Sequence, residues 1–384
     1  MKQICLFCQR QAADQNLFCP EPDCSAEQAP FIFEAGEWFE DFEILRRIAL
    51  SRTGVLYKAR QQEKDVLLKI AHPGKDNLER LKRETLFLHQ FVDPESPFTY
   101  LPQLQRPYLG TDIESDPCGR SMIDESQVYF SVWSYCEGEP LSQLLLQRNH
   151  LWINYVGWIV IQVADAIQLM HDDRKLHLSL SPESLLIRFD KKKCPRILLW
   201  DLGLLWDMDK VAVDHENFSL QEEAFTCLKP RYASPAYLPP ELSTTAPLLT
   251  AAADIYGIGT VFFEMLVGKP IYAHALRSDA EIEKTIQSGR RHRIHHGVDT
   301  EHVTKLIQKM IEPSPQVRQQ SIDQLLEDLE TPSAAEEPPL FVRLPAEERN
   351  RRLALPNVSP AMLWVWIIAL LVIVVIIFMA VRAS

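Results

Sequence analysis

From Ala361 to Val381 the chain runs for 21 residues without a formal charge, rich in Ile, Leu, Val and Trp, and only Arg382-Ala383-Ser384 follow. Such a run permits few structures, because a backbone in hydrocarbon must satisfy its own N–H and C=O groups, as a helix does. At about 1.5 Å per residue it reaches roughly 31 Å, which matches a hydrocarbon core of about 30 Å. A transmembrane helix over 361–381, partnered by a lipid bilayer, is therefore expected; a buried core helix is seldom so long and so uniformly apolar. Arg349, Arg351 and Arg352 precede the run, and Arg382 alone follows it, which favours an N-terminus-in orientation. Met1-Lys2-Gln3-Ile4-Cys5 opens no long apolar run and does not read as a secretory signal. The expectation is a single-pass membrane protein with a C-terminal anchor and its N-terminal bulk in the cytoplasm.

Residues 331–360, between the folded region and this anchor, carry Pro332, Pro338, Pro339, Pro345, Pro356 and Pro360 among charged side chains. That composition cannot bury a core and reads as an extended tether. At the other end, residues 1–30 contain Cys5, Cys8, Cys19 and Cys24 as two close pairs. Two thiolate pairs on tight turns suit the tetrahedral coordination of a structural Zn²⁺, so the segment resembles a minimal zinc ribbon. Free thiols or a pair of disulfides are the alternatives. Metal would supply much of the folding free energy of so short a segment. Cys118, Cys136, Cys194 and Cys227 are scattered and favour a reducing compartment. The net charge of -12 argues against nucleic acid as a partner, since phosphate backbones are held chiefly by Lys and Arg. Acids also outnumber bases around the cysteine pairs, so a structural or protein-contact role is expected there.

From about Glu40 the patterns run strands first, then helices. Val66 to Ile70 has strand length; Asn77 to Phe91 has helical spacing at Leu78, Leu81, Leu86 and Leu88. Tyr129 to Tyr135 and Arg196 to Leu199 read as strands. Trp152, Val156, Val160, Val163, Ile167 and Met170 form one helical stripe, and Ala251 to Leu266, ended by Gly268 and Pro270, reads as a buried helix.

Several motifs fall in order along this pattern. Ile48 to Ala59 holds a small-residue loop with Gly54; Lys69 ends a strand and Glu84 lies on the following helix. His177-Leu178-Ser179-Leu180-Ser181-Pro182-Glu183-Ser184 is followed by the apolar Leu185-Leu186-Ile187, and Trp200-Asp201-Leu202-Gly203 comes next. Pro240-Glu241, Asp254-Ile255-Tyr256-Gly257 and Arg318 complete the series. Over residues 41–330 this resembles the protein kinase superfamily, which implies a two-lobed α+β fold.

The resemblance implies roles residue by residue. Gly54 matches the third glycine of the glycine-rich loop, with Ala49 and Ser51 where the others stand. Lys69 matches the lysine that meets the α- and β-phosphates of ATP, Glu84 its helix partner, and Asp201 the aspartate that holds Mg²⁺ on the nucleotide. Trp133 falls at the back of the adenine pocket. Glu241 and Arg318 match a structural ion pair, and Asp254 the aspartate that anchors the catalytic loop. Within that loop His177 is kept, whereas Ser179, Ser181 and Ser184 replace the catalytic Asp, the phosphate-binding Lys and the metal-binding Asn. Leu178 replaces the arginine that grips a phosphorylated activation segment.

A hydroxyl cannot act as proton acceptor near neutral pH, which alone should cost roughly 10²–10⁴-fold in rate. The reading is a pseudokinase: a signalling scaffold with a protein partner that binds ATP with Mg²⁺ through Gly54, Lys69, Glu84 and Asp201 but lacks efficient transfer. One alternative is a weak Ser/Thr kinase that recruits another carboxylate, such as Asp173, Asp207, Asp209 or Asp214. The other is a non-enzymatic, membrane-tethered zinc-ribbon adaptor.

Overall fold

The computed structural model describes residues 3–4, 11–12, 32–72, 75–91, 100–105, 117–123, 126–147, 153–208, 234–243, 249–274, 277, 279–292 and 301–330. The expected anchor at 361–381, the tether at 331–360 and all four cysteines of the zinc-ribbon segment lie outside them. Of that segment only β1 (Gln3–Ile4) and β2 (Gln11–Ala12) are described, as an antiparallel pair. Among the described residues no helix is long and apolar enough to cross a membrane, and no group of three His, Cys, Asp or Glu side chains is placed to hold a metal. The chain divides into two units, 1–188 with 195–341 and 189–194 with 342–384. In the second, Asp190 turns the chain by accepting from the N–H groups of Lys192 and Cys194 at 2.8 and 2.9 Å.

The first unit opens with β3 (Trp38–Phe39), β4 (Phe42–Leu50), β5 (Gly54–Gln61) and β6 (Lys64–Ala71). Gln62 and Glu63 join β5 to β6 with φ of 45° and 69°, a two-residue turn whose twist suits a hairpin without the usual glycine. Helix α1 (Lys75–His89) follows, then β7 (Gly119–Ile123) and β8 (Ser126–Ser134). The strands form one six-stranded antiparallel sheet in the order β3-β4-β5-β6-β8-β7. Alternation decides its two faces: Val66, Leu68 and Ile70 of β6 pack with Phe42, Ile44, Tyr57 and Phe130, while Leu67 and Lys69 point the other way. Helix α1 packs on β6 and β8. Leu86, expected on its apolar stripe, is 37% exposed; Phe87 is buried in its place.

The larger lobe begins after β9 (Glu139–Pro140) with α2 (Leu141–Gln147) and α3 (Ile153–Asp172). Val156, Val160, Val163, Ile167 and Met170 are buried, as the stripe predicts, while the side chain of Trp152 lies outside the described residues. Strands β10 (Lys175–Leu176), β11 (Leu185–Phe189), β12 (Pro195–Leu199) and β13 (Trp206–Asp207) form two small antiparallel sheets that carry the loops of interest. Helices α4 (Ala251–Val267), α5 (Asp279–Gln287), α6 (Glu301–Met310) and α7 (Ile322–Glu330) complete it. Helix α4 is buried nearly all round and packs against α3 and α6. It ends where Gly268, at φ 72°, returns its N–H to the Glu264 carbonyl, a left-handed cap that glycine adopts at little cost. The expected two-lobed α+β architecture is therefore present.

Candidate functional site: a self-paired phosphate cleft

Lys69 reaches the cleft because β6 alternates, and α1 brings Glu84 to meet it. The ammonium donates to both Glu84 carboxylate oxygens, at 2.6 and 2.7 Å, and both side chains are buried. Indole rings close around it, with Trp133 at 5.5 Å and Trp200 at 5.2 Å from ammonium to ring centroid. Burial pulls the Lys69 pKa down, against the pull of the Glu84 and Asp201 carboxylates.

Arg80 sits one helical turn before Glu84, on the same face of α1. Its guanidinium donates to Glu84 Oε2 at 3.1 Å, to the Gly203 carbonyl at 2.6 Å and to Asp201 Oδ1. Asp201 Oδ1 also accepts from the Gly203 N–H at 3.1 Å, and Oδ2 accepts from the Thr53 hydroxyl at 2.9 Å. Burial opposes the charge on Asp201, yet Arg80, Lys69 and His177 outweigh it and hold the carboxyl well below the usual range. Two cations and two carboxylates thus form a closed, formally neutral quartet.

The β4–β5 loop lies over this quartet. Ser51 and Thr53 share a 2.7 Å hydrogen bond, and the half-buried His72 meets the Ser51 carbonyl at 2.8 Å from Nε2. Burial lowers the His72 pKa to about 4, so the ring is neutral near pH 7 and Nε2 donates. At Gly54 a Cβ would sit 2.4 Å from the Ile70 carbonyl oxygen, so β5–β6 packing also requires a glycine there. At the loop tip Arg52 makes a two-pronged pair with Asp279 in the first turn of α5, both contacts 2.7 Å, joining the lobes across the cleft.

The serine-rich loop is equally self-satisfied. Ser184 donates its hydroxyl to the Ser181 carbonyl at 2.7 Å and accepts from the Ser181 N–H at 2.9 Å. Ser179 contributes its backbone N–H to His177 Nδ1 at 3.2 Å. His177, fully buried, places Nε2 at 2.8 Å from the Asp201 carbonyl. Gly203, at φ 64°, allows this packing, since a Cβ there would lie 2.2 Å from the His177 carbonyl oxygen. Leu178, where the family has arginine, is buried with Leu176, Leu204, Trp206, Leu238 and Leu242.

Asp254, Glu241 and Arg318 are each engaged in the larger lobe. Asp254 accepts from the N–H groups of His177 and Leu178 at 2.9 and 2.7 Å, and His171 Nε2 lies 2.8 Å from it. Arg318 clasps Glu241 with two contacts of 2.7 Å. Asp207, one of the carboxylates offered as a substitute base, pairs with Lys175 at 3.1 Å; Asp209 and Asp214 lie outside the described residues.

In this arrangement the residues do not fit a divalent cation. Mg²⁺ requires near-octahedral oxygen ligation, and neither Asp201 nor Ser184 presents an oxygen free of protein partners. Sequence reading missed Arg80 and Thr53. The spacing of Arg80 from Glu84 was the available signal for the first; nothing local marked the second.

A model of the protein kinase domain matches residues 118–329. The chain is 27% identical over 215 residues to the serine/threonine-protein kinase ULK3 of Xenopus laevis, covering 54% of this chain and 41% of that one. It is 27% identical over 178 residues to a putative serine/threonine-protein kinase of Mycoplasma genitalium, covering 45% and 44%. The chain thus spans less than half the length of these relatives. Among solved structures, a double mutant of the Mycobacterium tuberculosis PknI kinase domain superposes with a TM-score of 0.50 at 17% identity, over 78% of this chain and 99% of that one, a likeness of fold. The matched stretch takes in more than half of the chain and includes the His177 loop, Asp201, Glu241, Asp254 and Arg318, and the chain belongs to the protein kinase domain family.

Proposed function

We propose that this chain is a pseudokinase, a kinase-fold scaffold that takes up a nucleotide without efficient phosphotransfer and regulates a protein partner. The observation that carries this reading is the His177–Ser184 loop. No carboxylate stands at Ser179, no cation at Ser181, and the Ser184 hydroxyl is engaged by the backbone of the same turn. Transfer depends mostly on positioning and charge stabilisation, so a loop without base, cation or metal ligand lacks the groups that act on the moving phosphoryl. The buried Lys69–Glu84 pair supports retained contact with phosphate once the β4–β5 loop lifts. The burial of Leu178 among apolar side chains supports the loss of control through a phosphorylated activation segment.

The reading includes a helix at 361–381 that holds the domain on a membrane from its cytoplasmic side, with a zinc-bound module formed by Cys5, Cys8, Cys19 and Cys24. The apolar length of the first and the spacing of the second support them. The test of the central claim is incubation of the purified full chain with radiolabelled ATP and a generic acceptor protein. No incorporation above background is expected. Robust incorporation that disappears in Lys69→Ala overturns the reading in favour of an active Ser/Thr kinase.

A further inference from the structure

Asp201 is the residue on which a protein kinase normally places its nucleotide-bound metal ion, and here a guanidinium already touches it. Arg80 does not reach Asp201 by chance of a mobile side chain. It is buried, its Nε is fixed on the Gly203 carbonyl at 2.6 Å, and its Nη1 is fixed on Glu84 at 3.1 Å, so its Nη2 has one direction left. Lys69 stands beside it on the same Glu84 carboxylate. The second metal ligand of the family is also gone, since Ser184 is tied to Ser181.

We infer that Arg80 takes the place of the divalent cation, so that the cleft receives a nucleotide phosphate free of metal. The inference rests on the nucleotide-binding reading above and names the form of the ligand. In the β4–β5 loop Thr53 is hydrogen-bonded to Ser51 and to Asp201, and lifting the loop frees one oxygen of Asp201 while Arg80 remains on the other. The opened cleft then brings an anion against Lys69 and Arg80, each still held on its carboxylate. A Mg²⁺ on the freed Asp201 oxygen would lie beside the guanidinium that holds the other oxygen of the same carboxylate. A metal-free anion is drawn to both cations, and Arg80 on Asp201 offsets the repulsion from that carboxylate.

The test is thermal unfolding of the purified full chain with ATP, once in excess EDTA and once in excess MgCl₂. ATP is expected to raise the midpoint in EDTA, with no further rise when Mg²⁺ is present. Arg80→Met, which keeps the stem but not the charge, is expected to lose the shift in EDTA. Stabilisation by ATP that appears only with Mg²⁺ overturns the inference, as does no stabilisation in either condition, or an EDTA shift that survives in Arg80→Met. If that variant does not fold, the two conditions on the unaltered chain decide the matter alone. Radiolabel transfer separates the two claims: a Mg²⁺-dependent shift without transfer removes this inference and leaves the pseudokinase, whereas transfer removes the pseudokinase itself.

Discussion

Arg318 and Arg80 are both buried against carboxylates, and they do opposite things. Arg318 holds Glu241 by two 2.7 Å contacts and gives its remaining donors to the carbonyls of Glu312, Ala252 and Pro313. All five of its N–H groups are used by the larger lobe, so the pair is a strut. Arg80 is just as buried, but its carboxylate partners, Glu84 and Asp201, are the groups a kinase keeps for lysine and metal. The chemistry is the same in both places. The difference lies in what each carboxylate would otherwise bind, and it shows that a frame can be kept while the site it supports is filled from within.

This contrast can be broken experimentally, and the largest effect belongs to the strut. Arg318→Ala leaves Glu241 and three carbonyls without their donor and is expected to cost about 3–5 kcal/mol in denaturant unfolding, the cost of opening a buried pair. A loss no larger than that of a surface substitution would show that the strut is not a strut.

A buried carboxyl without a cation gives the next effect. Glu264 accepts from the Tyr237 hydroxyl at 2.8 Å, and burial, with Glu183 nearby, pushes its pKa from 4.5 up to about 8. The folded chain therefore holds a proton that the unfolded chain releases near 4.5. Its contribution to stability is complete below that pH and is lost as pH rises to about 8, by roughly 5 kcal/mol. Glu264→Gln should flatten this limb of the stability-against-pH curve, and an unchanged limb would assign it to another group. His72 acts in the opposite sense: its pKa is lowered to about 4, so stability is lost as pH falls from 6.5 through that value.

Across the cleft, Asp279→Asn should weaken the clasp with Arg52, with side chains 16% and 9% exposed, by about 1 kcal/mol or less in unfolding. Faster proteolysis or hydrogen exchange in the β4–β5 loop would report its release. The smallest expected effect is none. Restoring the family's residues together, as Ser179→Asp, Ser181→Lys and Ser184→Asn, should leave transfer undetectable while Arg80 holds Asp201. Transfer restored by those changes alone would place the whole defect in the loop and make Arg80 incidental.

The motif frame was legible in sequence because its residues are read by order and spacing. Asp254 and Glu241–Arg318 stand where that order implies, and the helix ending at Gly268 does so because left-handed glycine and a buried stripe are local signals. Leu86 misled because a period of 3.6 does not tell which of two adjacent apolar residues meets the sheet. The packing need for Gly54 was not legible, since its close approach to Ile70 is visible only once β5 and β6 pair.

By itself the sequence determined the resemblance to the kinase frame and the presence of Ser179, Ser181 and Ser184 after His177, because those facts are residue identities at fixed spacing. Only the tertiary structure decided what became of the groups that remained. Arg80 and Asp201 are 121 residues apart and Thr53 and Asp201 are 148, so no local pattern couples them. Burial does: once the lobes exclude water from Asp201, its charge must find protein partners, and those nearest were a guanidinium and a threonine.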